Sequence, residues 1–253
     1  AQTDEGYNFI AYGADVADHA RCQELAERIH ADGHRIDILV NNAGITRDAT
    51  FRKLSYADWD AVPRVNLDSV FNVPRPFIDG MLERGWGGII NISSINGSKG
   101  QFGQTDYSAA KAGMHGFTKA PAREAARKGV TVNTVSLGYL NTKMVKSMPE
   151  DLVKQVVAGI PVGRLGRPGE IAALVALIAS ESAGSAQAHQ ICILQIKNWL
   201  TFMALRDPCS HRHRLCSFLP FWASHEGRKR HAANAGVRLD FRPAQRAACA
   251  PRP

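Results

Sequence analysis

No apolar run in this chain approaches the eighteen or so consecutive residues that a membrane-spanning helix needs, so no span is expected. The N-terminus has no basic stretch followed by an apolar one, so no secretory signal is read there and the cytoplasm is the default location. Internal repeats are absent, which excludes solenoid and array architectures. A surplus of one charge is missing from most of the chain as well. Of 253 residues, 31 are Lys or Arg and 23 are Asp or Glu, a formal net charge of +8. Through Gly184 the two signs cancel at 20 each, so the excess falls entirely after it. A net-neutral body argues against a nucleic-acid-binding protein, which carries basic surface where it meets phosphates.

What is present is an alternation. The length suits one α/β domain with a substantial core. Apolar runs over 9–14, 36–41, 88–92 and 130–136 read as strands, with 36–40 continuous enough to be buried. Helical patterns cover 18–31, the span from 55 to 83, about 105–127, 145–158 and 168–180, the last with Pro168 at an allowed first-turn position. Strands alternating with helices imply an α/β fold with a doubly wound parallel sheet. Pro63, Pro74, Pro76 and Pro121 fall inside the helical patterns, where an interior proline loses a hydrogen bond and costs roughly 3 kcal/mol.

The chemistry is concentrated in Tyr107-Ser-Ala-Ala-Lys111, with Ser94 thirteen residues before the tyrosine. Tyr and Lys at i and i+4 share one helix face. An ammonium beside a phenol favours the phenolate, so Lys111 is expected to lower the Tyr107 pKa and make it a general acid/base. Ser94, at the end of a strand, can hold the carbonyl oxygen that the tyrosine protonates. Asn41-Asn-Ala-Gly44 closes another apolar strand, and Asn66 lies on the helical pattern that follows. In chain order, the Asn41–Gly44 motif, Asn66, Ser94, Tyr107 and Lys111 resemble the short-chain dehydrogenase/reductase family, over about Phe9 to Ala183. Gly44-Ile-Thr-Arg-Asp48, Phe51-Arg-Lys53, Arg84-Gly-Trp-Gly87, Lys99-Gly-Gln-Phe-Gly-Gln104 and Lys128-Gly-Val-Thr-Val-Asn133 are similar to the acetoacetyl-CoA reductases within it.

The resemblance implies hydride transfer from a reduced nicotinamide to the C3 ketone of a 3-oxoacyl-CoA, giving the (R)-3-hydroxyacyl-CoA used in polyhydroxyalkanoate synthesis. Tyr107 is then the proton donor, Ser94 a second hydrogen bond to the same oxygen, and Lys111 the holder of the nicotinamide ribose. Asn66 bends its helix and positions a water that relays protons to Lys111. Asp15 and Val16 meet the adenine, although Asp15 as a cap of the following helix is an equal reading. Asn42, Ala43 and Gly44 line the cofactor, and Gly138 and Thr142 contact its nicotinamide end. Asp48, Gln101, Phe102, Gln104 and Tyr139 lie on the acyl-CoA side, with Phe102 equally readable as a packed loop anchor. NADP is implied by the resemblance alone, and NAD stays open. A homotetramer joined through the helices around Asn66 and Tyr107 is implied too. Two alternatives stand beside this reading: a 3-oxoacyl-(acyl-carrier-protein) reductase, and a non-catalytic remnant that lacks a cofactor site.

The chain also departs from the family. A complete member opens with a strand, a TGxxxGxG turn and a helix whose N-terminus binds the pyrophosphate. Here that turn is missing, and Leu137 replaces the proline expected before Gly138-Tyr139. The expected fold is therefore a Rossmann-like doubly wound sheet without its first two strands and with its last strand missing or altered. The domain spans 1–184, followed at 185–253 by a basic irregular tail, read as out-of-frame or disordered sequence. The Cys209-Ser-His-Arg-His213 and Cys216 set fits no zinc spacing, and Gly227-Arg-Lys-Arg230 reads as a solvated charge run, so no metal site is assigned.

Overall fold

The computed structural model describes residues 10–142, 145, 148–188 and 190–192. All of these lie in the first of the chain's two units, Ala1–Leu200, and none in the second, Thr201–Pro253. The segment 193–200, the Cys209–Cys216 set and the Gly227–Arg230 run lie outside the described residues.

Four parallel strands form one sheet in the order β1 (Ile38–Asn41), β2 (Gly87–Ser94), β3 (Val130–Leu137) and β4 (Gln190–Cys192). This is a partial Rossmann-like α/β fold. Every residue of β2 is buried, as a strand covered on both faces must be. On one face Leu39, Ile89, Val130 and Val132 meet Ala26, Ile29, Phe77, Met81, Ala122 and Ala125 from the covering helices. On the other, Ile90, Ile92 and Val135 meet Ile178. Alternate side chains of one strand thus enter two cores.

The first expected strand, 9–14, does not form over its described residues: 10–15 carry no regular structure. Among the described residues β1 pairs only with β2, and an extended segment without a neighbour has no ladder to satisfy its backbone groups. Helix α1 (His19–Ala31) follows. Its N-cap is Asp18, which accepts from Arg21 N, whereas Asp15 accepts from Ala17 N at 2.9 Å and so closes its own turn.

The helical span from 55 to 83 is broken at its prolines. Helix α2 (Tyr56–Pro63) ends at Pro63, and a π-helical turn, Arg64–Asp68, takes over. Proline cannot donate back along the helix, so the ladder changes register there. Helix α3 (Ser69–Asn72) follows, then α4 (Arg75–Arg84), with Pro74 at the N-cap and Pro76 in the first turn, where a missing N–H costs nothing. The short α5 (Asn96–Lys99) leads into α6 (Thr105–Ala125), which keeps Pro121 in its interior. Beyond β3, α7 runs from Glu150 to Ala158 rather than from 145, because Pro149 occupies its N-cap. Helix α8 (Pro168–Ala179) precedes β4.

Candidate active site

Parallel strands deliver their carboxyl ends to one edge of a sheet, and ligands of such sheets sit outside that edge. β2 and β3 end side by side, with Ser94 in register with Leu137 and Ile95 N donating to Leu137 O at 2.9 Å. Gly138 and Tyr139 therefore start next to Ser94. β1 ends at Asn41, so Asn42, Ala43 and Gly44 emerge at the same edge.

Helix α6 carries Tyr107 and Lys111 over this edge. Lys111 is only 4% exposed, and its Nζ donates to Ile92 O at 2.8 Å and lies 5.6 Å from the centre of the Tyr107 ring. Burial lowers its pKa to about 8. The Tyr107 phenol does not move in the expected direction. Burial pushes its pKa up and the Asp48 carboxylate adds to the rise, while a hydrogen bond with Ser94 pulls it down. Lys111, over the ring and engaged with Ile92, is not among the groups that shift it. Ser94 Oγ also accepts from Asn96 N at 3.1 Å, which sets its rotamer.

Asn66 lies in the π-helical turn and is 0% exposed. Its amide clamps the backbone after Gly44: Nδ2 donates to Ile45 O at 2.9 Å, and Oδ1 accepts from Ile45 N at 2.8 Å. A Cβ on Gly44 would stand 3.3 Å from Asn66 Oδ1 and 3.7 Å from Lys111 Nζ, so glycine there leaves the floor beside the lysine bare. The Val16 carbonyl accepts from Asn72 Nδ2 on α3 at 3.1 Å, which ties the chain before α1 to that helix.

Among the residues expected on the acyl side, Asn96 Nδ2 donates to Gln104 Oε1 at 2.9 Å, and Gln104 Nε2 donates to Asp48 Oδ1 at 3.0 Å. Ala49 N adds a bond to Gly103 O at 2.9 Å. Tyr139 Oη reaches Gln101 Oε1 at 3.5 Å. Phe102 is 87% exposed at the tip of its loop, not a packed anchor. Thr142 lies in the loop after β3, its N donating to Leu140 O at 2.8 Å. Sequence reading missed Asn96 as the link between Ser94 and Gln104. It also missed Asp106, 1% exposed, whose Oδ1 accepts Tyr107 N at 2.7 Å. Adjacency to Ser94 and Tyr107 was the available signal for both.

Comparison with known proteins fits this geometry. A model of the short chain dehydrogenase family matches residues 1–153. An acetoacetyl-CoA reductase of Cupriavidus necator is 56% identical over 179 residues, 71% of this chain and 73% of that protein. One from Allochromatium vinosum is 53% identical over 184 residues, 73% of this chain and 75% of that protein. A 3-oxoacyl-[acyl-carrier-protein] reductase of Thermotoga maritima is 41% identical over 172 residues, 68% of this chain and 70% of that protein. With Ser94, Tyr107 and Lys111 gathered at the sheet edge, the chain belongs to the short-chain dehydrogenase family, an oxidoreductase family that uses NAD(P).

Proposed function

We propose that the protein reduces acetoacetyl-CoA or a similar 3-oxoacyl-CoA to the (R)-3-hydroxyacyl-CoA, with NADPH as reductant. The grouping of Ser94, Tyr107 and Lys111 at the carboxyl ends of β2 and β3 carries this reading. The names of the two acetoacetyl-CoA reductase relatives point to the substrate. The residues present fit the nicotinamide end of the cofactor: a bare Gly44 floor stands beside a buried ammonium that can donate to ribose hydroxyls. Bound there, NADPH supplies the hydride that C3 receives. Tyr107 donates the proton to the oxygen on C3, and its raised pKa keeps it protonated at neutral pH, the form a general acid needs. Ser94 holds the same oxygen as charge develops on it. Asn66 keeps the Gly44 loop in place, and the water relay towards Lys111 is the role the family resemblance implies for it.

The test follows NADPH oxidation by the full chain with acetoacetyl-CoA, and with NADH in place of NADPH. Tyr107→Phe is expected to lower kcat by roughly 10²–10⁴-fold with an unchanged circular dichroism spectrum. Activity retained in that variant contradicts the assignment. The Thermotoga maritima relative favours a second reading, in which the thioester is borne by acyl-carrier protein. Faster turnover of acetoacetyl-(acyl-carrier protein) than of acetoacetyl-CoA would establish it. A chain that binds neither cofactor nor thioester would be a non-catalytic relative.

A further inference from the structure

We propose that Lys99 is a positioning residue for the acyl thioester, tying Gln101 to Tyr139 and so fixing the two loops beside the Ser94–Tyr107 pair. This rests on the reading of the site as a 3-oxoacyl thioester reductase. Lys99 ends α5, five residues after Ser94. The next loop, 100–104, doubles back through two left-handed glycines, Gly100 at φ 70° and Gly103 at φ 77°. Its far end is anchored by the bonds from Asn96 to Gln104 and from Gln104 to Asp48. Tyr139 belongs to a different loop, anchored separately by Gly166 N donating to Tyr139 O at 3.0 Å and Asn141 N donating to Gly166 O at 2.8 Å.

Lys99 bridges the two. Its Nζ lies 3.4 Å from Gln101 Oε1 and 5.4 Å from the centre of the Tyr139 ring, within cation–π range. Tyr139 Oη approaches the same Gln101 oxygen at 3.5 Å. Both oxygen contacts are long, so the cluster has room to tighten around a ligand. Lys99 is largely exposed, and partial burial of its ammonium lowers its pKa. An ammonium only donates, so the amide of Gln101 must turn its oxygen to Lys99, and its NH₂ then faces the other way. The group so presented is a donor suited to an acceptor carbonyl, either that of the thioester or an amide of the pantetheine arm. The Tyr139 hydroxyl donates to the same oxygen, so the ammonium supplies the charged and slightly shorter of the two contacts that set the sense of that amide.

The test compares wild type with Lys99→Met, which keeps the stem and drops the charge, and with Lys99→Arg, which restores it. For acetoacetyl-CoA, Lys99→Met is expected to raise KM about three- to fivefold, while kcat stays within about twofold and NADPH affinity is unchanged. Lys99→Arg is expected to bring KM back. A purely structural role would lower melting temperature and kcat without separating KM from kcat. Wild-type KM in Lys99→Met, or a fall in kcat at constant KM, overturns the inference and leaves the proposed function standing. Calorimetry of acetoacetyl-CoA with the wild-type chain separates the two: no binding there overturns the proposed function and this inference with it.

Discussion

Lys111 holds its ammonium against one carbonyl, Ile92 O, and the face of Tyr107, at a position that water scarcely reaches. Burial of that charge is unfavourable, and the lowered pKa of about 8 registers the cost. Below pH 8 both folded and unfolded chains carry the proton, so the penalty is present in full. Between about 8 and the usual lysine value of 10.5 the folded chain has lost the proton while the unfolded chain still holds it, so stability rises with pH across that window. Lys111→Met is therefore expected to raise the unfolding free energy read from urea titration at pH 7 by on the order of 2 kcal/mol, with the advantage shrinking at pH 10. Loss of turnover in the same variant would mark the cost as functional. A lower midpoint than wild type at pH 7 would show that the ammonium stabilises the fold instead. The Tyr107–Lys111 pair was legible because i and i+4 is a local relation. The direction of the Tyr107 shift was not, because burial is set by the whole fold. Lys99 escaped notice because Tyr139, which it touches, comes from another loop, with Gln101 and Tyr139 38 residues apart.

Helices and strands were readable where their patterns were long and periodic: β2, β3, α1 and α6 stand close to where the apolar periodicity puts them. The prolines of the 55–83 span looked like faults inside helical segments. They act instead as the span's punctuation, and the π-helical turn that follows Pro63 carries Asn66 to Ile45. A pattern of period 3.6 does not distinguish a helix from one interrupted by a wider turn. The strand at 9–14 failed for the opposite reason, since strand formation depends on a neighbour that local sequence does not specify. Packing between α5 and α6 is closer than either segment advertises. A Cβ on Gly97 would stand 2.7 Å from the Lys111 carbonyl carbon and 2.8 Å from Ala112 N, and backbone atoms cannot rotate aside. Gly97→Ala must push α5 off α6, moving Ser94 and Lys99 relative to Tyr107. It is expected to destabilise by about 1–3 kcal/mol and to lower kcat, both read from urea midpoints and turnover on one preparation. A variant with wild-type stability would mean that α5 adjusts freely and does not fix the site.

At the scale of the molecule, the sheet is held through polar links as well as apolar cores. Asn41 Nδ2 donates to Asn91 Oδ1 at 2.7 Å, Asn91 Nδ2 to Thr118 Oγ1 at 2.9 Å, and Thr118 Oγ1 meets Thr134 Oγ1 at 2.6 Å, joining β1, β2, α6 and β3. A parallel link runs through His115 on α6, whose Nε2 lies 2.8 Å from Ser93 Oγ and 3.0 Å from Ser136 Oγ. Ser93 Oγ in turn donates to Lys111 O at 3.1 Å, so this link touches the site helix. Burial, reinforced by the charges of Lys119 and Lys111, depresses the His115 pKa to about 4. The folded chain thus keeps His115 neutral where the unfolded chain, near 6.5, takes a proton. Stability from this group is full above pH 6.5, falls as pH drops towards 4, and is then lost. Because the imidazole joins β2, α6 and β3, its protonation is expected to loosen the whole sheet and not one edge of it. The urea midpoint should fall between pH 6.5 and 4.5, and His115→Gln, which can keep a neutral hydrogen bond, should reduce that slope by about one proton. An unchanged slope in His115→Gln would assign the acid sensitivity to carboxylates instead. If near-ultraviolet dichroism and turnover decline at different pH values in wild type, His115 governs the site helix without governing the sheet.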